Sequence, residues 1–500
     1  MVRHNTPLRR WMLLATVSFG LLMIAMDNSI LYTALPTLTA ELGASPSEGL
    51  WIINAYPLVM AGLLLGTGTL GDRLGHRRLF LIGLVVFGIA STWAAFSTAP
   101  LSLIAARALL AVGAACMMPA TLALIRVTFD DVRERNLAIG VWGSVAIIGM
   151  AGGPIMGGLL LEHLWWGSVF LINIPVVLVA LIATPVVAAA SPVDTSKHWD
   201  WLSSLLALTT LTGTVLTIKE IAHLPPRWEI AVPSVILAIV TGFFFVRRQQ
   251  HLTDPLLDFT VFNNPAFTTG VVTAAISMFG IGGVEMSTTQ RFQLVEGYSP
   301  LQAGLVVTAV ALGSLPTSLL SGAFLHLLGL RIIIGGGFGL ATLGMLCALL
   351  GAQSSIWLLV VGLVIAGAGL GATMSVASTA IVGNAPPSRA GMASSVEEVS
   401  YEFGGLIAIA LLGSLLSLLY SARIQLPDGA PASAGESIAK AQATGDATII
   451  DAASAAFTSA HFAVLLVIAV VLAAATAWTT LALRNYGVGS QASRYESNDH

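Results

Sequence analysis

Between positions 79 and 125 this chain carries a single charged side chain, Arg107, and apolar runs of that kind recur along its whole length. A helix needs ~20 mostly apolar residues to cross a bilayer. Hydrocarbon accepts only helices or closed barrels, because a backbone group left unpaired there has no water to bond. The runs are continuous and rich in Ala, Leu and Gly, without the ten-residue alternation of a membrane barrel, so they specify helices. Composition agrees: 56% of residues are apolar and 9% charged. A soluble protein has ~25% charged residues, and a water-facing surface cannot be built from so few. Disordered, collagenous and disulfide-framework chains are also excluded. Cys116 and Cys347 both lie in apolar runs and read as packing residues. A formal charge of −3 implies no nucleic acid or acidic partner.

Fourteen spans are expected, at 11–35, 50–70, 79–96, 101–125, 137–161, 169–189, 201–221, 230–246, 267–288, 303–325, 332–350, 356–381, 392–419 and 460–483. Lys and Arg favour the cytoplasmic side and test that count. With the N-terminus inside, sixteen of the 22 fall in inner segments, five in outer loops and Arg107 within a span. A missed or invented span would invert every later loop and spoil the ratio, so both termini are expected in the cytoplasm. The first span is too long for a signal peptide, carries Asp27, and is followed by no small-residue cleavage site.

A shift of 254 pairs Gly43 with Gly297, Ser45 with Ser299, Pro46 with Pro300, Gly75 with Gly329, Arg77 with Arg331 and Arg135 with Arg389. Glycine coincidences are cheap in this chain; the Ser-Pro and Arg pairs at equivalent loop positions are not. The register predicts a six-helix bundle over 1–190, two inserted helices and linkers over 191–262, a second six-helix bundle over 263–486 and a cytoplasmic tail, 487–500. The segment 420–459, outside by this topology and rich in Ala, Gly, Ser and Asp, is open to two readings: a solvated linker or a cap over the outer mouth.

Ionisable residues inside spans are expensive, at least ~2.5 kcal/mol each at the bilayer centre, and need a partner, a wet cavity or a function. Asp27 lies about 15 residues beyond the inner start of its span, roughly 23 Å deep, and Arg107 about six residues in from the outer side, roughly 9 Å down. The two thus share a depth in a ~30 Å core. An arginine partner favours the charged carboxylate and removal from water disfavours it, so such a carboxyl can be tuned to load and release a proton. Glu397, Glu398 and Glu402 lie in the span that enters near Met392, with Glu402 roughly 15 Å deep. Glu398 and Glu402 share a helix face, and Glu397 is turned about 100° from Glu398. Three carboxyls at that depth make a negative site that cations and protons would both occupy. Glu285, nearer an outer helix end, is a sixth candidate. For the apolar body of a lipophilic cation, Trp51, Tyr56, Trp142, Phe279, Tyr401 and Phe403 offer ring faces, Tyr56 and Tyr401 first.

Four motifs carry a family resemblance. After the second span the chain reads Gly68-Thr-Leu-Gly71-Asp72-Arg73-Leu-Gly75-His76-Arg77-Arg78. Glycines there permit a tight turn, and Asp72 among arginines permits exchangeable ion pairs. The fifth span has Gly149, Gly153, Pro154, Gly157 and Gly158: glycines every fourth residue on one face, with a proline kink. The others are Met26-Asp27-Asn28-Ser29-Ile30 and Trp165-Trp166-Gly-Ser-Val-Phe170-Leu-Ile-Asn173-Ile-Pro175. Together these resemble the major facilitator superfamily, and within it the fourteen-span drug:proton antiporters of the methyl viologen and quaternary ammonium type. A fifth motif, in the fourth span, departs from the family pattern: Leu110 and Ala111 stand where Gln and Gly are usual, while Arg107, Gly113 and Ala115 are kept.

The resemblance implies an all-α polytopic membrane protein of the major facilitator fold, a monomer of the bacterial inner membrane. Bulky organic cations would be exported by alternating access, driven by protons moving inward. Gly68, Asp72, Arg73, Gly75, Arg77 and Arg78 would act as a latch closing the inner side, and the Gly149 to Gly158 stretch as the antiporter helix motif. Asp27, Arg107, Glu397, Glu398 and Glu402 would couple protons. Asp27, Tyr56, Glu285, Glu398, Tyr401 and Glu402 would hold the cation. The partners are the bilayer, lipophilic cations and protons, with no cofactor and no nucleic acid. No GxxxxGK[ST] loop is present for a nucleotide. A proton-coupled exporter of a natural metabolite is the alternative; a membrane enzyme would need a metal cluster or a nucleophile with its base, and neither is found in the sequence.

Overall fold

The computed structural model describes residues 6–129, 131–189, 193, 200–222, 225–252, 255–385, 390–427 and 429–486. The expected tail 487–500, and Arg3, Lys197, Arg389 and Arg494 among the cytoplasmic cations, lie outside them. All regular secondary structure among the described residues is helical. Among the same residues, thirteen helices are long and apolar enough to cross a membrane. They are α1 (Pro7–Leu42), α2 (Pro46–Leu74), α3 (His76–Ala95), α4 (Pro100–Thr128), α5 (Val132–His163), α6 (Ser168–Val187), α7 (Trp201–Ile221), α8 (Trp228–His251), α9 (Pro265–Leu294), α10 (Pro300–Ser354), α11 (Ile356–Val382), α12 (Met392–Arg423) and α13 (Ala447–Ala482).

The number fourteen survives inside thirteen. α10 has 55 residues, about 80 Å of helix, against a ~30 Å hydrocarbon core. Its helical dihedrals break at Gly329 (φ 79°, ψ 165°), so it contains two crossing lengths, 300–328 and 330–354.

That break belongs to a repeated device. Gly75, 254 residues earlier, also takes a positive φ, 88°, between α2 and α3. Any side chain there would push Cβ against the backbone, so glycine is the residue that lets one span reverse into the next within a single turn. The preceding turns repeat as well: Gly43 (φ 61°) and Gly297 (φ 69°) each lead into a capped helix. Ser45 caps α2 in a reciprocal box with Glu48, and Ser299 caps α10 in the same box with Gln302. Both helices then start with proline, whose missing N–H is no loss at that position.

The chain forms two compact units, Met1–Leu208 and Thr209–His500, divided within α7. In the first, α1 packs along α5, and α4 along α2 and α3. In the second, the arms of α10 pack with α11 and α13, while α9 lies against α11, α12 and α13. α8 buries little: Ile239, Phe243 and Phe244 are more than half exposed, as lipid-facing residues are.

The segment after α12 is folded rather than solvated along its length. Tyr420 donates its hydroxyl to the Ala434 carbonyl at 2.8 Å, and the Gln442 amide donates to the Leu294 carbonyl at the end of α9. Ile438 and Ala441 are buried beneath it. Tertiary burial of two small apolar anchors thus outweighs a polar, helix-poor composition.

Candidate functional site

In the first unit five helices converge on one carboxylate. Asp27 of α1 is 2% exposed and Arg107 of α4 is 0% exposed; the guanidinium Nη1 donates to Asp27 Oδ2 in an ion pair. The other carboxylate oxygen accepts from Asn173 Nδ2 of α6 at 2.9 Å, and the same amide approaches Ser91 Oγ of α3 at 3.2 Å. α6 is interrupted after Leu171, and Asn173 opens its second stretch, two residues before Pro175, whose ring removes a helical hydrogen bond. Tyr56 of α2 places its ring against the guanidinium, 4.6 Å from Arg107 Cζ to the ring centre. Arg107 still has two buried nitrogens, Nε and Nη2, with no hydrogen-bond partner among the described residues.

Tyr56 therefore differs from its expected part. It is fully buried, and the cation its ring faces is the protein's own Arg107. Trp142 is similarly enclosed, donating Nε1 to Thr121 Oγ1 at 3.1 Å. Sequence reading named Asn173 as part of a motif without a role, and missed Ser91. An asparagine in an apolar run was a usable signal; a serine in so small-residue-rich a chain was not.

The glycine face of α5 lies on α1 beside this network. A Cβ added at Gly153 would stand 2.7 Å from Ser29 Cβ, two residues from Asp27. Ser29 also donates to the Met150 carbonyl of α5 at 2.8 Å. Gly153→Val is expected to destabilise the protein by about 1–3 kcal/mol through overpacking. A Cβ added at Gly152 meets nothing within 4 Å, so Gly152→Val is the matched control. Thermal midpoints in detergent distinguish the two; equal midpoints would mean that the glycine face is not what brings α5 against α1.

In the second unit α12 carries the three glutamates. Glu397 accepts from Ser378 Oγ of α11 at 3.1 Å and lies within electrostatic reach of Tyr401. Tyr401 donates its one hydroxyl proton to the Met374 carbonyl of α11 at 3.2 Å. Glu398 has no hydrogen bond or ion pair among the described residues and lies within electrostatic reach of both Glu397 and Glu402. Glu397 thus departs from the unpartnered carboxyl expected of it, because α11 supplies a hydroxyl that sequence spacing does not reveal. Glu285 of α9 is buried, 7% exposed, and makes no hydrogen bond or ion pair with a described residue. Phe279 of α9 is buried too, while Phe403 is more than a third exposed.

The basic loop is built on the Gly75 turn. That turn brings the start of α3 back onto the end of α2, so Asp72 pairs with His76 Nε2 at 3.1 Å, where the sequence suggested arginines. Arg77 donates to the Pro185 carbonyl at the end of α6 at 3.1 Å, and Arg73 and Arg78 are exposed. At the same end of the unit Arg9 donates to the Val187 carbonyl and Arg10 pairs with Glu134 at 3.2 Å.

With this geometry in hand, comparison with known proteins is specific. The Major Facilitator Superfamily matches the chain over residues 17–293 and 266–427. The methyl viologen resistance protein SmvA of Salmonella typhimurium is 37% identical over 470 residues, covering 91% of this chain and 94% of that protein. The multidrug efflux pump LfrA of Mycolicibacterium smegmatis is 36% identical over 492 residues, covering 96% and 97%. Among solved structures, an inward-facing bacterial homolog of the human lysosomal transporter Spinster aligns over 96% of this chain and 98% of its own, with a TM-score of 0.64 at 17% identity. That last likeness is one of fold.

Proposed function

The chain belongs to the major facilitator superfamily, and from that premise we propose that it is a proton-coupled multidrug exporter of bulky organic cations. Quaternary ammonium compounds, methyl viologen and cationic dyes are the substrate class. It works as a monomer in a bacterial inner membrane, by alternating access, with both termini in the cytoplasm. Transport, not catalysis, is its activity. The observation that carries the reading is the set of carboxyls inside apolar helices: Asp27 in one unit, and Glu285, Glu397 and Glu398 in the other. Hydrocarbon makes such groups costly, and a fold that keeps them gains a place where a positive charge, proton or drug, is held.

Asp27 is the proton carrier in this reading. Unprotonated, it is held by Arg107 and Asn173; protonated, it loses most of the attraction that ties α1 to α4, so proton arrival loosens one helix contact. The α12 carboxyls hold the cation and, in its absence, protons, so the two compete there. Dye movement in everted vesicles tests the whole proposal: uptake of ethidium should start on energisation and stop on adding an uncoupler. Uptake that survives the uncoupler would overturn it.

Asp72→Asn should slow turnover about tenfold, some 1.4 kcal/mol in the barrier, while the dissociation constant for drug stays near wild type. The Asp72–His76 pair belongs to the basic turn and not to a carboxyl that holds the cation. Weakened binding with unimpaired turnover would remove the latch role.

A further inference from the structure

At one end of the second unit lies a cavity of about 450 Å³, lined by Arg291, Gln353, Ser454, Thr458, Ser459 and His461 among others. None of these side chains has a part in the transport reading. The cavity sits where α9, the end of α10 and the start of α13 meet, at the end that the proposed orientation puts outside.

Two of its side chains, His461 and Arg291, keep buried ring or guanidinium nitrogens without a well-formed partner among the described residues. His461 is 1% exposed, and neither ring nitrogen makes a well-formed hydrogen bond with a described residue. Arg291 is 8% exposed; its Nη2 donates to Glu296 at 2.9 Å and its guanidinium faces the Phe292 ring, but its buried Nε has no hydrogen-bond partner among the described residues. Gln353 and three hydroxyls add polar groups to a wall completed by Val295, Ala352, Ala455 and Phe462. A second cation reaches the rim, for Arg423 donates to the Ser459 carbonyl at 3.0 Å and to Ser459 Oγ at 2.7 Å. The acids nearest in sequence, Glu296 and Asp451, are exposed, and Glu296 is already paired with Arg291. A buried guanidinium with an open N–H, beside an imidazole that can donate one N–H, matches an anion with several oxygens, and the volume exceeds that of a bare ion.

The level in the membrane narrows the class. Trp357, 77% exposed, stands on α11 four residues beyond Gln353. Exposed tryptophans mark the headgroup level of a bilayer. The phosphates of lipid headgroups are the anions abundant at that level. We propose that this cavity is a binding site for a phosphate ester, held by Arg291 and His461, and that in the membrane the headgroup of an anionic glycerophospholipid fills it. The site is separate from the carboxyls assigned to transport, so it stands or falls independently of the exporter reading.

Native mass spectrometry of the purified full-length protein tests it, with phosphatidylglycerol as probe and diacylglycerol as its phosphate-free counterpart. Wild type should retain phosphatidylglycerol and not diacylglycerol. Arg291→Gln should weaken retention about tenfold or more, the scale of one charge-assisted hydrogen bond. His461→Leu, which keeps volume and removes both nitrogens, should weaken it several-fold, and carries the test if the Arg291 variant does not fold. Arg331→Gln removes an exposed cation of the same unit away from the cavity and should change nothing. Glycerol 3-phosphate separates the sources. If it displaces the lipid, the phosphate ester alone is recognised; if it does not, the bound species is the membrane lipid. Equal retention by wild type and His461→Leu, or of the two lipids by wild type, would overturn the proposal.

Discussion

Asp27→Asn is expected to reduce proton-driven efflux to the background of a membrane without the protein, while the chain still inserts. Asparagine keeps the volume of the side chain and can accept one hydrogen bond from Arg107. It cannot take up a proton, and it leaves the fully buried guanidinium without a counter-charge. Breaking a buried pair from one side costs about 3–5 kcal/mol, so the thermal midpoint should fall as well. Reconstitution at matched protein density separates lost coupling from lost protein. The informative assay imposes a pH gradient across proteoliposomes and follows a fluorescent cation. Wild-type efflux by the Asn variant would remove Asp27 from the coupling step, whatever the stability result.

The second large effect is expected on α12. Glu398→Gln or Glu402→Gln should impair transport of divalent methyl viologen about tenfold more than that of monovalent tetraphenylphosphonium. The argument is electrostatic: a charge pair at ~4 Å with an effective dielectric of ~20 is worth about 4 kcal/mol before desolvation, and a divalent cation needs a second carboxylate where a monovalent one does not. Glu398 is the pivotal member, since it lies within reach of both neighbours, whereas Glu397 is already engaged by Ser378. Initial rates with both substrates in the same proteoliposomes measure the difference. Equal losses would assign the glutamates to structure.

What the sequence made legible follows from what hydrocarbon forbids. Span number and helical class can be read because each crossing needs a long charge-free run, and the 254-residue repeat because Gly43 and Gly75 must recur where the backbone turns left-handed at Gly297 and Gly329. The buried charges stand out for the same reason. Their partners do not. Ser91, Ser378 and the Met374 carbonyl carry no mark in a chain full of small residues, and which helix they face is decided by packing. Tyr56 looked available to a ligand because burial by a neighbouring arginine is not visible in sequence. The folded state of the segment after α12 was hidden likewise, since Ile438 and Gln442 are too few to register as a core.

The central claim is that drug cations and protons exchange on the same buried carboxyls, which linkage requires to work in both directions. Purified protein in weakly buffered detergent solution, titrated with methyl viologen beside a pH indicator, measures it directly. Cation binding should acidify the solution, with the release diminished in Asp27→Asn and in Glu398→Gln. Saturable binding of the cation with no proton release would contradict the account.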